Sequence, residues 1–248
     1  MSSFPTPISY TFDVLYQDEH LVAINKPYGF LTHRTALAKY ETQIVLQALR
    51  DQLGRSVHPI HRLDRKTSGV LLWGLDSKAH SDMSKLFQEN LIKKSYLAIV
   101  RGYTKDEGTI DYPLKNEAGR SQEAVTNYKT LERKEQKWPL GKHETSRYSL
   151  LELNPTTGRM HQLRRHLSHI FHPIIGDRPH GCSKQNRMFK QKFGFEEMLL
   201  HASSLSFTHP YTDIEIKIQA PLFESYLKMA SKIGFMNVEE SNSISKEK

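Results

Sequence analysis

The sequence predicts an α+β fold in which a largely antiparallel mixed β-sheet is flanked by helices and loops. Short β-like segments recur along most of the 248 residues, and fewer amphipathic helical segments lie between them. Neither an internal repeat nor a Pro- or Ser-rich linker divides the chain. We therefore expect a single domain at 12–236, with a polar lead at 1–11 and a polar, disordered tail at 237–248.

Eight segments combine apolar or β-branched residues with turn-like flanks and are predicted to be strands. They are 12–15, 21–25, 70–75, 95–100, 124–131, 148–153, 199–207 and 214–218. Helical spacing of apolar residues predicts four helices. These are 44–53 before Gly54, 77–89, 159–170 and 222–233 before Gly234. The charged stretches 104–122 and 132–147 are expected to be surface loops.

The predicted helix at 159–170 is amphipathic. Its apolar face is formed by Met160, Leu163, Leu167 and Ile170, which follow one another at steps of three and four residues. The opposite side is expected to carry His161, Arg164 and Arg165.

The net charge of +8 is concentrated in one part of the chain. Between residues 156 and 195, eight Lys and Arg side chains accompany a single acid, Asp177. Histidines and phenylalanines are interleaved with them, which favours a phosphate-binding groove, although a solvated basic face fits the charge equally well. One cysteine, no long apolar run and no signal-like start together predict a cytoplasmic protein.

Motifs of the common cofactor sites are missing from the sequence. It contains no GxGxxG after a strand, no GxxxxGK[ST] and no HExxH. His166, His169 and His172 are the best candidate metal ligands, but no Cys, Asp or Glu set accompanies them, so we expect no metal. Cys182 has no evident activating partner and is predicted to be an ordinary thiol.

The segment HRLDRKTSG, residues 61–69, places one acid among three cations directly before an apolar strand. The cations favour an ionised Asp64, which makes it a poor general acid but a suitable nucleophile or stabiliser of a cation. The same residue types also fit a turn in which Asp64 merely binds backbone amides near Thr67 and Ser68.

The segment GRMHQLRRH, residues 158–166, begins a helix with glycine and displays cations from the first turns. The amides at such a helix start can bind anions. Its arginines could bind phosphate, or one could turn inward and pair bidentately with a buried carboxylate such as Asp64.

Both segments resemble motifs of the RluA-type family of RNA pseudouridine synthases. HRLDRKTSG is similar to the family's HRLDxxTSG catalytic motif, and GRMHQLRRH is similar to its GRxHQxRxH motif. Further similar segments follow the family's order: DEHLVAINKPYGFLTH, KSYLAIVRG, HPIIGD and LLHA. The resemblance runs from about Phe12 to Ala220. Within the family, the run from HLSHIFHPIIGDRPHG to QNRMF is most similar to members that modify uridine 65 of tRNA.

The resemblance implies a pseudouridine-synthase-like catalytic domain around a central RNA-binding cleft, without an S4 domain. The implied activity is isomerisation of a uridine in tRNA to pseudouridine. The target base swings out of its stack, the N-glycosidic bond is cleaved, and uracil C5 is joined to the ribose. This reaction needs no cofactor, so we expect none. We expect a monomer whose partner is tRNA, with no membrane and no obligate protein partner.

The matched motifs also imply roles for individual residues. Asp64 corresponds to the catalytic aspartate, which attacks the sugar or promotes glycal formation, and Arg164 corresponds to the arginine paired with it. Tyr96 corresponds to the tyrosine that packs on uracil and is the candidate base for the C5 proton. Arg62 matches the residue that enters the helix when the nucleotide is extruded, and Leu200 an apolar residue near uracil. Further predicted RNA-binding residues are His61, Arg165, Arg178, Lys184, Arg187 and Lys190.

Three alternatives remain at this point. The same chemistry could act on ribosomal RNA. A non-catalytic RNA-binding module could share the fold. A metal-dependent RNA hydrolase would need a carboxylate cluster, which the sequence lacks.

Overall fold

The computed structural model describes residues 10–33, 42–236 and Val238. The predicted lead before Tyr10 and the predicted tail other than Val238 lie outside the described residues. The chain divides into two compact units. Unit 1 combines Met1–Ile92 with Ser204–Ala220, and unit 2 combines Lys93–Ser203 with Pro221–Lys248. The predicted bounds of one domain, 12–236, stay a prediction.

Within the described residues the secondary structure consists mainly of strands. In chain order these are β1 (Val14–Gln17), β2 (Leu21–Lys26), β3 (His58–Pro59), β4 (Ser68–Gly74), β5 (Lys93–Arg101), β6 (Glu107–Asp111), β7 (Leu114–Lys115), β8 (Ser121–Gln122), β9 (Val125–Gln136), β10 (Ser146–Pro155), β11 (Leu200–Thr208) and β12 (Glu215–Gln219). The helices are α1 (Val45–Leu53), α2 (Ser77–Gln88), α3 (Gln162–His169), α4 (Ser183–Phe193) and α5 (Glu224–Ile233). No helix among the described residues has the length and apolar character that a membrane crossing requires.

Unit 1 is built around two fully buried strands, β2 and β4, which pair antiparallel with Leu21 opposite Gly74. Strand β1 pairs with β2, and β3 pairs with β4, again antiparallel. The part of β11 from Ser204 onward pairs antiparallel with β12. Apolar side chains of these strands form a core with Ala79 and Met83 of α2. The near-continuous apolar runs of β2 and β4 fit strands covered on both faces.

Unit 2 contains the antiparallel strands β5, β10, β9 and β6 in this spatial order. Its core joins apolar residues of β5 and β10 to Phe189 of α4 and to Tyr226 and Met229 of α5. Helices α4 and α5 end at Gly194 and Gly234, both in the left-handed conformation that favours glycine. Because the strand pairs named in both units are antiparallel, the predicted fold class is confirmed.

The prediction of surface loops at 104–122 and 132–147 is wrong in part. The first stretch contains β6 and the hairpin of β7 and β8. In the second, β9 continues to Gln136 and β10 begins at Ser146. Most residues of β6 and β9 are only partly buried or exposed, so their side chains are largely polar and lack the apolar signal of a strand.

Two helices of unit 2 differ from the prediction. Helix α3 begins at Gln162, so Met160 precedes it and is exposed, and Arg164 lies on the buried side instead of the predicted outer side. Helix α4 was not predicted, because its basic residues indicated a charged surface. The apolar signal was present in Phe189 and Phe193, four residues apart, before Gly194.

Candidate active site

In unit 1, Asp64 lies half-buried on the loop between β3 and β4. The loop is held through its own carbonyl groups. The Thr32 hydroxyl donates to the Leu63 carbonyl at 3.3 Å, and the Thr67 amide donates to the Asp64 carbonyl at 3.0 Å. Fixing successive carbonyls restricts the main chain that carries the Asp64 side chain.

The next carbonyl of this loop, that of Arg65, accepts two hydrogen bonds from the NKPYG segment. The Gly29 amide donates to it at 2.9 Å, and Lys26 Nζ donates at 3.2 Å and also to the Pro27 carbonyl at 2.9 Å. Arg65 Nε donates back to the Gly29 carbonyl at 2.8 Å. Burial lowers the pKa of Lys26 to about 7, against the effect of the Asp64 charge, which raises it. Lys26 therefore lies within electrostatic reach of Asp64.

The two residues that precede Leu63 have different surroundings. His61 Nε2 accepts a hydrogen bond from the Leu72 amide at 3.0 Å, and its ring stacks on Phe87 with centroids 4.6 Å apart. These contacts join His61 to β4 and α2. Arg62 is exposed to solvent, and its predicted contact with RNA stays a prediction.

In unit 2, Tyr96 is half-buried on β5 opposite Leu153 of β10. Lys94 lies two residues earlier and therefore points to the same side of the strand. Its Nζ donates to the Thr157 carbonyl at 3.4 Å, directly before Gly158, and burial lowers its pKa. We therefore add Lys94 to the candidate site residues.

Arg164 on α3 forms a bidentate ion pair with Asp177. Its Nε and Nη2 donate to the two carboxylate oxygens, each at 2.8 Å. The predicted inward turn of a helix arginine onto a buried carboxylate is therefore present, with Asp177 as a partner. The predicted pairing of Arg164 with Asp64 concerns residues of both units and stays a prediction.

The start of α3 is fixed by polar contacts with β9. Gln162 Nε2 donates to the Val125 carbonyl at 3.0 Å and to the Thr126 hydroxyl at 3.1 Å. Thr126 in turn donates to His166 Nδ1 at 2.9 Å, and His166 Nε2 donates to the Tyr112 carbonyl at 3.0 Å. Both ring nitrogens of His166 are thus occupied by hydrogen bonds, which fits a structural histidine better than a metal ligand. These bonds fix the rotation of α3 and with it the position of Arg164.

Two further predicted site residues also lie in unit 2. Arg165 is half-exposed, and its Nη1 donates to the Lys115 carbonyl at 2.9 Å. Leu200 begins β11 and is buried. A core position and a contact with uracil are both compatible with this burial, so its predicted role stays a prediction.

The predicted basic RNA-binding surface includes Arg178 and three exposed residues of α4: Lys184, Arg187 and Lys190. Glu196, one residue beyond the basic stretch, binds two of these cations. Its Oε2 lies 2.5 Å from Arg178 Nη2, and its Oε1 lies 2.8 Å from Lys190 Nζ. A cavity of about 320 Å³ is lined by side chains that include Arg178, Arg187, Lys190, Phe195 and Glu196. The surface is therefore less positive than the sequence count suggests.

Cys182 has an activating neighbour that sequence reasoning missed. Arg101 Nη1 donates to its Sγ at 3.3 Å. Burial raises the pKa of the thiol, but the Gln185 amide and the Arg101 guanidinium outweigh it and lower the pKa below its ordinary value. The description of Cys182 as a thiol without a partner is thus wrong.

The predicted residues fall into two groups. Unit 1 holds His61, Arg62 and Asp64 on one loop, whereas unit 2 holds Tyr96, Arg164, Arg165, Arg178, Lys184, Arg187, Lys190 and Leu200. Three residues were missed as candidates: Lys26, Lys94 and Asp177. All three stand in family-like segments, which are NKPYG, KSYLAIVRG and HPIIGD, so their position in those segments was the available signal.

A family profile described as RNA pseudouridylate synthase matches residues 20–169. The chain belongs to the RNA pseudouridylate synthase family. The match includes both HRLDRKTSG and GRMHQLRRH, so the family predicted from these segments is confirmed.

Several similar curated proteins are named tRNA pseudouridine synthase C. The protein from Vibrio parahaemolyticus is 46% identical over 231 residues, which cover 89% of this chain and 94% of the relative. The protein from Haemophilus influenzae is 47% identical over 237 residues, covering 91% and 99%. The protein from Salmonella typhi is 45% identical over 241 residues, covering 93% of each.

Solved human structures have a similar fold. Human RNA Pseudouridylate Synthase Domain Containing 4 matches with a TM-score of 0.68 and 25% identity, over 89% of this chain and 92% of that one. Human RNA Pseudouridylate Synthase Domain Containing 1 matches with a TM-score of 0.65 and 22% identity, over 92% and 96%. The pseudouridylate synthase fold predicted for this chain is confirmed.

Proposed function

We propose that this chain isomerises uridine 65 of tRNA to pseudouridine in the cytoplasm. The observation that carries the substrate class is the shared name of relatives that are 45–48% identical over most of both chains. The assignment of uridine 65 is supported by the similarity of the run from HLSHIFHPIIGDRPHG to QNRMF to members that modify this position. The experiment described below also tests the two alternatives, which are activity on ribosomal RNA and a non-catalytic role in RNA binding.

In the proposed reaction Asp64 starts the cleavage of the N-glycosidic bond, either by attack on the ribose or by promoting a glycal. The detached uracil turns and its C5 bonds to the ribose carbon that N1 has left. This step breaks the bond from that carbon to Asp64 or, by the other route, returns to the glycal the ribose proton that it lost. The C5 proton is then removed, and N1 takes up a proton. Asp64 suits this role because its loop is held at successive carbonyls while its side chain is half-buried. A preorganised carboxylate needs little reorganisation when charge develops on the sugar.

Arg164 and Tyr96 act with Asp64 in this proposal. The fork to Asp177 engages two of the five N–H bonds of the Arg164 guanidinium. We assign its remaining donors to Asp64. Tyr96 packs on the uracil and takes the C5 proton, and Lys94 on the same side of β5 supplies a nearby positive charge. A cation beside a phenol stabilises its anionic form, which makes it a better base.

RNA binding is assigned to exposed basic residues. Arg62 enters the stack in place of the target nucleotide, which offsets part of the few kcal/mol that extrusion costs. Lys184, Arg187 and Lys190 of α4 bind the tRNA backbone. Arg178 joins them when a phosphate replaces Glu196 as its partner.

The decisive experiment incubates the purified full chain with unmodified tRNA transcripts and, in parallel, with unmodified ribosomal RNA. Site-resolved mapping of pseudouridine follows. We expect modification of the tRNA at uridine 65. Modification of ribosomal RNA alone would overturn the substrate assignment, and the absence of pseudouridine from both would overturn the enzymatic assignment.

Asp64→Asn tests the mechanism in the same assay. Removing the negative charge should abolish pseudouridine formation, because the amide cannot start cleavage, while tRNA binding stays largely intact. Asp51→Asn is the matched control, since it makes the same change at an exposed side chain of α1 in the same unit. Substantial turnover by Asp64→Asn, or an equal loss in Asp51→Asn, would contradict the assigned role.

A further inference from the structure

The ion pair between Arg164 and Asp177 lies inside unit 2. The side chains are only 6% and 1% exposed, respectively. A planar fork on a planar carboxylate fixes both the position and the rotation of the guanidinium. Such a buried pair is weak support for stability, because removing two charges from water offsets most of their attraction. The main effect of this ion pair is therefore to fix the geometry of Arg164, and its contribution to the stability of the fold is small.

The chain around Asp177 keeps the carboxylate in one place. The His180 amide donates to its Oδ1 at 3.3 Å, and Asn186 Nδ2 on α4 donates to the Asp177 carbonyl at 2.6 Å. A Cβ at Gly181 would lie 1.8 Å from that carbonyl oxygen, so the close approach requires glycine. Asn186 Oδ1 also accepts from the Gly176 amide at 2.9 Å, which fixes the loop on the other side of Asp177.

We propose that Asp177 is a positioning residue that acts through Arg164. It engages one edge of the guanidinium and thereby decides where the other edge, which carries Nη1, points. It also balances the charge that α3 brings into the interior. This inference rests on the proposed function, in which the other edge meets the Asp64 carboxylate. Asp177 stands in the family-like segment HPIIGD, but the resemblance implied no role for it.

Asp177→Asn tests the inference, because it retains the side-chain shape but loses the charge and one of the two acceptors. We expect the single-turnover rate constant for pseudouridine formation to fall about 100-fold, the scale of a small misplacement at a catalytic group. The Kd for the tRNA transcript should stay unchanged. Tyr148→Phe is the control. It removes a buried hydrogen bond in the same unit, the one between Tyr148 and Gln185, in which Arg164 takes no part.

A double-mutant cycle separates positioning from a merely structural role. If Asp177 acts through Arg164, then Arg164→Met and the double variant Arg164→Met/Asp177→Asn will have the same rate. All rates are measured well below the Tm of every variant. Losses that multiply in the double variant, or an Asp177→Asn rate equal to that of Tyr148→Phe, would overturn the inference.

Asn186→Ala keeps the inference testable if Asp177→Asn fails to fold. This variant retains the ion pair but removes the hydrogen bond that holds the Asp177 carbonyl. A rate loss of roughly tenfold that disappears in the Arg164→Met background supports positioning, and an unchanged rate overturns it. A wild-type chain without turnover on tRNA would instead overturn the proposed function, so the two failures are distinguishable.

Discussion

The free energy of unfolding of unit 1 should depend on pH through Lys26, and the substitution Lys26→Met should remove this dependence. The side chain is 0% exposed, and burial lowers its pKa from 10.5 to about 7. Between these two values the unfolded chain carries a proton at this site that the folded chain has lost. Stability rises with pH wherever the unfolded state binds more protons.

The direction and size of the effect follow from this shift. The penalty for burying a charged Lys26 is fully present below pH 7 and is relieved as the pH rises above it. Since each pH unit contributes at most about 1.4 kcal/mol, Lys26 should add roughly 1–2 kcal/mol to the free energy of unfolding between about pH 7 and about pH 8.5. Lys26→Met has a similar volume and no charge, so it should lose this increment.

Urea unfolding at several pH values measures the increment, with a fluorescence signal that reports unit 1. The chain has two tryptophans, of which Trp73 lies in β4 of unit 1. A Trp138→Phe background therefore leaves Trp73 as the reporter. The other titrating groups cancel when the chain with Lys26 is compared with Lys26→Met. Lys228→Met, at an exposed side chain of α5, is the control. The reasoning is refuted if Lys26→Met gains as much stability with pH as the parent chain.

The remaining predictions concern RNA binding and turnover. Replacing Lys184, Arg187 and Lys190 with Gln should flatten the dependence of tRNA affinity on salt, by roughly 0.9 or less in the log–log slope for each lost phosphate contact. Glu196→Gln should do the reverse, because it releases two cations, and equal slopes in titrations of all three proteins would reject this surface. Lys94→Met should lower the single-turnover rate at least about tenfold with little change in tRNA affinity, since it removes the charge near Tyr96; an unchanged rate would remove Lys94 from the site.

The candidate site was predictable where a residue stands inside a recognisable segment. Asp64, Tyr96 and Arg164 were assigned because their neighbours resemble family motifs, and the family itself is confirmed. Asp177 was visible as the last residue of the family-like segment HPIIGD and as the single acid of a basic stretch, but neither observation assigned it a partner. Nothing in a linear pattern says which carboxylate a helix arginine meets, because that depends on where a loop 13 residues away folds back.

Secondary structure was predictable where burial leaves a local pattern. The apolar runs of β2 and β4 and the helical spacing of α2 predicted these elements close to their observed bounds. The polar strand β6 and the basic helix α4 were missed. Each buries only a few of its side chains, so its exposed polar residues dominate the composition.

The sequence by itself determined the fold class, the family and the loop that bears Asp64, because apolar periodicity and contiguous motifs are local properties of a chain. Only the tertiary structure decided that Lys26 is enclosed beneath that loop, that Glu196 binds two cations of the basic surface, and that Asp177 holds Arg164. These three depend on burial and on partners distant in sequence, and the strength of a charge interaction is set by the surroundings that the folded chain provides.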